Sequence, residues 1–444
     1  MSRGWNALPP EMTLSVLEFL SLGDVKAFSV VSRLCRQLAV SMLFKSAKLD
    51  GHEAVESFLS RFPSRCRIYV RSLHVSMRPN EVMQQSDCAS SQTDLLVILL
   101  TTCTMIQSLT LYVFGSPQKH IIPPFARLIH LTSLFIGNVA PEQLMPLSER
   151  SVVSIAASVP HLERLTLDGI TRSLVHAPEL LAVYPFVPLV VGDEDVESHP
   201  VLGSDLSLPS LLRIPTLRRL QLSETHLGDS LWGTIPSSSD LEVLDLGSCG
   251  HETPEFNMIC TERIINNLAK SSSIRELFIN TPLQDERFKD PFSTPLRSLD
   301  HIHLMPLLPV DRVVETLFTL SGSPVHTISV ECYEEDALEM CYALEDFLTM
   351  RLQQPDAPFY QRLRVMNLQF VVLDPSFPMS DHNESLGQVR RLCDAMAISG
   401  EMPPLTEPTG VGRFAEHRHV RKGWWNPGQD TTMATQHDQP TLGY

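Results

Sequence analysis

The sequence predicts a short all-α, three-helix module, then a long α/β solenoid, then a disordered C-terminal tail. Three observations carry this. Residues 8–49 show helical periodicity in short pieces. Residues 50–399 repeat a short strand pattern with helical segments between the strands. From 400 to 444 the periodicity is lost, and Pro, Gly, Thr and Gln dominate. The 444-residue length suits one small domain plus a repeat array, and a 43% hydrophobic fraction supplies a core and excludes global disorder.

The module comes first. Pro9 and Pro10 suit a helix start, where a missing N–H costs nothing. Met12, Val16, Leu17, Phe19 and Leu20 form more than one apolar stripe. Gly23 is expected to break this helix, and Asp24 to cap the next, on which Val25, Phe28 and Val31 recur. Ser32 can cap a third helix carrying Leu34, Leu38, Met42 and Leu43. Helices this short cannot bury so much apolar surface themselves. A partner or the next domain has to cover the remainder.

The array follows. Ten copies of apolar-x-x-apolar-x-apolar run from Val70/Leu73/Val75 to Leu363/Met366/Leu368, recurring on average about every 33 residues. The last two apolar residues of each copy alternate as a half-buried strand requires. Helical patterns lie between them at 93–102, 149–158, 261–270, 311–320 and 335–352. Strand, helix, strand at this spacing buries one continuous core by stacking, with a parallel sheet on one wall and helices on the other. The 55-residue gap between Leu162 and Leu217 holds a Pro-rich, acidic stretch at 176–215, read as an insertion. The clearest copy, Leu241-Glu-Val-Leu-Asp-Leu-Gly-Ser-Cys249, resembles the L-x-x-L-x-L-x-x-C core of the leucine-rich repeat family. The copy from Leu217 ends in Thr225 instead, so the repeats are degenerate.

The N-terminal residues resemble the F-box. That family opens with Leu-Pro-x-Glu, here Leu8, Pro9 and Glu11. An aliphatic pair and a helix-ending Leu follow, here Val16, Leu17 and Leu20, then Asp24 with Val25, then Val31, Ser32 and Arg33. Cys35 stands where the family usually has an aromatic residue, a departure that weakens local packing. The resemblance implies binding to the Skp-type adaptor of SCF (Skp–cullin–F-box) ubiquitin ligases, and through it to a cullin–RING ligase. By position it gives the contact role to Leu8, Pro9, Leu17, Leu20, Val31, Ser32 and Arg33, some of which will face the module's own core.

The resemblance also implies a protein client on the repeat wall. Strand alternation offers Arg219, Gln221, Glu242, Arg275 and Glu276 as exposed positions for it. The chain would then be a non-catalytic adaptor. The alternative is a non-catalytic leucine-rich-repeat scaffold not coupled to ubiquitin transfer. A third option is a receptor that binds a small molecule together with a protein, although nothing in the sequence points to a ligand pocket.

Chemistry-bearing motifs are absent from the sequence. His52-Glu53 and His251-Glu252 lack the second His of a zinc helix. There is no phosphate-binding loop and no G-x-S-x-G elbow. No catalytic residue, metal ligand or cofactor site is assigned. With 35 Lys and Arg against 51 Asp and Glu, the net charge of −16 argues against sequence-independent nucleic-acid binding. Apolar runs are too short for a membrane span, and the first residues lack a signal-peptide core. Nine scattered cysteines, with no C-x-x-C pair, read as reduced thiols. A cytoplasmic and/or nuclear protein is expected. Glu331 to Asp346 carries no Lys or Arg and reads as a charged helix face. The tail's basic patch, Arg413 to Lys422, precedes Trp424-Trp425. It reads as a solvated tail or as Trp side chains docking on the solenoid end; an anchor for an acidic partner or an import signal is the other reading.

Overall fold

A computed structural model describes residues 9–77, 85–184, 186–271, 274–285, 288, 296–353, 359–372 and 383–403. The N-terminal module is three helices: α1 (Pro10–Glu18), α2 (Leu22–Ser29) and α3 (Arg33–Leu43). Pro9 leads into α1, and its carbonyl accepts the Thr13 N–H at 3.1 Å. Helix α2 starts earlier than its sequence suggests. Ser21 is the cap, its hydroxyl accepting the Asp24 N–H at 3.2 Å and donating to the Asp24 carboxylate at 2.6 Å. Gly23 therefore lies inside α2, because a reciprocal Ser–Asp cap outweighs one glycine's entropy cost. Ser32 caps α3 as expected, accepting the Cys35 N–H at 3.1 Å. Helices α1 and α2 both pack on α3, and Thr13, Leu17, Val25, Cys35 and Ala39 are buried.

The rest of the described chain is built on one eleven-stranded sheet, all parallel and in chain order. Its strands are β1 (Ser46–Asp50), β2 (Ser72–Ser76), β3 (Ser108–Val113), β4 (Ser133–Asn138), β5 (Arg164–Asp168) and β6 (Arg219–Ser223), then β7 (Val243–Leu246), β8 (Glu276–Ile279), β9 (His301–Leu304), β10 (Thr327–Tyr333) and β11 (Val365–Val371). Connecting helices are α4 (His52–Arg61), α5 (Ser64–Arg67), α6 (Gln85–Thr102), α7 (Ile122–Phe125), α8 (Glu149–Ser158), α9 (Pro254–Ser271), α10 (Val313–Thr319) and α11 (Ala337–Gln353). Helix α12 (Asn383–Ala395) follows β11 and packs on α11.

Each of the ten sequence copies supplies β2 to β11 in turn. The middle apolar residue of each copy lies in register with its neighbours: Leu73 beside Leu109, Leu109 beside Leu134, and so on to Ile328 beside Met366. These residues and the helices between them share one continuous core, the sheet-and-helix stacking of a solenoid-like array. Strand β1 is an eleventh copy, Phe44/Ala47/Leu49, hidden because Ala47 is small. The sheet thus begins inside the 8–49 zone of helical periodicity.

The 176–215 stretch divides in two: Ala177, Leu180, Val187 and Leu189 bury a small separate cluster while Leu181, Tyr184 and Phe186 stay exposed, and its second part enters the main core. Val196, Leu202, Leu206, Leu208, Leu211, Leu212 and Ile214 are all buried in the main core. Its described residues carry two 3-10 turns (Pro178–Ala182 and Leu208–Arg213) and isolated bridges at Val190 and between His199 and Gly203, and the second turn packs on α8, in the layer that helices occupy elsewhere. Buried charge holds it. Arg150 donates to the carbonyls of Asp193 and Val196 at 3.1 Å each, and Asp193 accepts the hydroxyls of Ser148 and Ser173 at 2.6 Å each.

The last strand is shielded. Residues 399–401 run beside β11, with the Met366 N–H bonded to Ser399 at 2.8 Å and the Leu368 N–H to Glu401 at 2.9 Å. Gly400 is required there, since a Cβ would sit 1.8 Å from the Met366 carbonyl oxygen. The predicted tail, apart from 400–403, lies outside the described residues, as does its Arg413–Trp425 patch.

Candidate functional site

Two surfaces correspond to the predicted contacts. The first is on the helical module. Met12, Val16, Phe19, Leu20, Leu22, Val30, Val31 and Leu34 are all exposed, with Phe19 at 90%, Val30 at 74% and Val31 at 72%. The local reason is geometric. One stripe of α1, Thr13 and Leu17, faces α3, so the second stripe has no helix to cover it. Burying one such side chain fully stabilises by roughly 1.5–3 kcal/mol, so a cluster this large is what a docking surface presents.

The residues expected to contact the adaptor divide accordingly. Leu8 lies outside the described residues. Pro9, Leu20, Val31, Ser32 and Arg33 are exposed, the last three at the α2–α3 turn, although the Ser32 hydroxyl is occupied in capping. Leu17 requires correction. It has no exposed surface and packs inside the module, so it has no apolar area to offer a partner. Sequence reasoning missed Phe19, Val30 and Leu34 as contact candidates. Their signal was the excess of apolar residues over one helical stripe.

The second surface is the sheet face opposite the helices. Arg219, Gln221 and Glu276 lie on it. Glu242 and Arg275 sit one residue before β7 and β8, at the sheet's edge, where Glu242 pairs with Arg218 at 3.6 Å. Aromatic side chains gather in two places on this face. His74 packs near Tyr112 (5.6 Å) and Tyr112 near Phe135 (4.8 Å). Farther along, Phe278, His303 and His301 stack at 4.0 Å intervals, with the Arg219 guanidinium 5.3 Å above Phe278. Burial, then the neighbouring His301 and Arg219, pushes His303 down to about 3, so it is neutral at physiological pH. His301 is also held below its usual range by burial, and bonds Ser329 at 3.0 Å.

The described residues show little else that is reactive. A recess of about 380 Å³ is lined by Arg150, His176, Glu194 and Asp205. Its Arg150 is already bonded to carbonyls and to the His176 ring, so it positions chain rather than a ligand. Eight cysteines are buried free thiols. Burial pushes Cys249 up to about 12, and Cys341 and Cys393 to about 11, which holds them protonated and unreactive. Cys249 is tied in by Asn257, whose side-chain amide bonds both its N–H (3.0 Å) and its carbonyl (3.1 Å). Among the described residues no group of three or more His, Cys, Asp or Glu side chains is placed to hold a metal, and no helix is long and apolar enough to cross a membrane.

Comparison with known proteins identifies the module. The F-box domain matches residues 5–47. Proteins that carry it are typically non-catalytic components of ubiquitin ligase complexes. No curated protein sequence matches the chain. Among solved structures, a chain of the crystal structure of the Rad7 and Elc1 complex in yeast is similar at 14% identity and a TM-score of 0.32, covering 83% of this chain and 89% of that one.

Proposed function

We propose that this chain is the substrate-recognition adaptor of an SCF-type cullin–RING ubiquitin ligase. The F-box docks on a Skp-type adaptor, and the open face of the sheet holds a protein client. On this reading residues 8–49 are the F-box, 50–399 an array of degenerate leucine-rich repeats, and 400–444 a tail. The adaptor contacts are Pro9, Leu20, Val31, Ser32 and Arg33, joined by Phe19, Val30 and Leu34. Client contacts are Arg219, Gln221 and Glu276, with Glu242 and Arg275 at the rim. The chain makes and breaks no covalent bond. It raises the client's concentration near the ligase, which makes transfer effectively intramolecular.

One observation carries the reading: the uncovered apolar face lies wholly within the residues that match the F-box. A pull-down with a Skp-type adaptor tests it, comparing wild type with Phe19→Asp/Val31→Asp. Both positions are on the surface, so circular dichroism should be unchanged. Binding by wild type and loss in the double variant is the expected result. Absence of binding by a folded wild type would overturn the proposal and leave a scaffold whose helices serve as a cap.

A further inference from the structure

The strand register lines up residues that lie far apart in sequence. The first outward position of each strand forms a row across β1 to β6: Ser46, Ser72, Ser108, Ser133, Arg164 and Arg219. Among the described residues none of the four serine hydroxyls bonds another protein group, and neither guanidinium has a carboxylate partner. Arg164 is exposed, and Arg219 is half-buried with one face over Phe278. Arg164 and Arg219 stand on neighbouring strands, about 4.8 Å apart at the backbone, and the Arg219 guanidinium reaches toward Phe278 on β8. The next positions beyond Arg219 in this row are Val243, which supplies no charge, and then Glu276, which makes no ion pair with Arg219. In a chain of net charge −16, these are two neighbouring positive charges without an ion-pair partner among the described residues.

We propose that this row is the track for an extended acidic segment of the protein client, whose carboxylates pair with Arg164 and Arg219. The inference rests on the proposed client-binding role of the sheet face and names the chemistry that face selects. Small hydroxyls leave a shallow path beside the bulkier His74 and Phe135 on the next row, and each can donate to a carboxylate or a peptide carbonyl. The path crosses five strand intervals, about 24 Å, which an extended chain spans in about seven residues. Guanidinium groups bind carboxylates through paired N–H donors, and the Phe278 ring restricts Arg219 so that less freedom is lost on binding.

The test measures anisotropy of a fluorescein-labelled heptaglutamate peptide on the full chain, with heptaglutamine as its neutral counterpart. The glutamate peptide should bind more tightly, and added salt should weaken it. Arg164→Gln/Arg219→Gln should reduce the affinity about tenfold or more, while the double Lys variant should retain part of it. Arg127→Gln, an exposed arginine after α7, should leave it unchanged. Equal affinity for both peptides, or an unaltered affinity in the Gln double variant, overturns the proposal. Binding to the Skp-type adaptor is measured on the same preparations. Its absence would sink the ligase reading while the peptide result still decides the chemistry of the track.

Discussion

Leu17 and Phe19, two residues apart at the end of α1, face opposite ways: Leu17 has no exposed surface and Phe19 keeps 90% of its own. Similar hydrophobicity therefore serves two purposes. Leu17→Ala opens a cavity inside the module and should cost about 2–5 kcal/mol. Phe19→Ala should leave folding within about 0.5 kcal/mol of wild type while weakening adaptor binding. Hydrogen exchange of the α1–α3 amides, beside a binding assay, separates the two effects. Equal loss of amide protection in both variants would contradict the division.

Arg172 is the centre of the buried charge that fixes the β5–β6 connection. It is 1% exposed, bonds Glu149 through Nε at 3.1 Å, and bonds Asp229 through Nη2 at 2.9 Å. Burial pushes the Glu149 carboxyl up, and Arg172 with the N–H groups of Ser173 and Leu208 pulls it back. Removing the cation strands both carboxylates, so Arg172→Met should cost about 3–5 kcal/mol. Adding Glu149→Gln to that variant should restore part of the loss, because one of the two stranded charges is gone while that of Asp229 remains. Urea unfolding of the single and double variants checks this. Strict additivity would show that the two residues are not coupled.

The strands were legible because a half-buried parallel strand admits little besides alternating aliphatic residues, and ten copies repeated that demand. Aligning those copies also exposes the Ser–Arg row, since each member directly precedes the middle apolar residue, as Ser72 precedes Leu73. What escaped the sequence rests on less periodic physics. Strand β1 carries Ala47 where larger residues stand elsewhere. The start of α2 depends on a reciprocal bond between Ser21 and Asp24. The 176–215 stretch is held by Arg150 and Asp193 through hydrogen bonds to backbone and hydroxyls, which leave no repeating pattern. In the module, two apolar stripes on one short helix did not show which one faced inward.

His251 links two distant loops. Its Nε2 lies 3.5 Å from Glu142, which belongs to the segment after β4, whereas His251 follows β7. The hydrogen bond to Glu142 raises the imidazole above its ordinary 6.5, and the charges of Glu142, Glu224 and Glu252 reinforce this against burial. A raised value in the fold means that the stabilisation is fully present below 6.5 and is lost as pH rises through the folded value. The Tm advantage of wild type over His251→Gln should therefore be largest near about pH 6 and shrink toward about pH 8. Thermal melts of the two proteins across that range test it. An advantage that grew with pH would reverse the assignment.

His303 should act in the opposite direction. Its Nε2 is buried without a hydrogen-bond partner, and the nearest carboxylate oxygen, on Glu276, is 4.0 Å away, too long for a hydrogen bond. Burial, His301 and Arg219 hold it down at about 3 in the fold, while the unfolded chain takes up a proton near 6.5. The unfolded state thus binds more protons between those values, and folding stability falls as pH drops through them. His303→Phe retains a ring to stack on Phe278 but cannot titrate, so it should be less sensitive to acid than wild type. Urea midpoints at pH 7 and at about pH 4.5 compare the two, because the lower value lies inside the window where only the unfolded imidazole is charged. Parallel losses in both proteins would mean that His303 takes up its proton in the folded sheet, with Glu276 moving in to meet it.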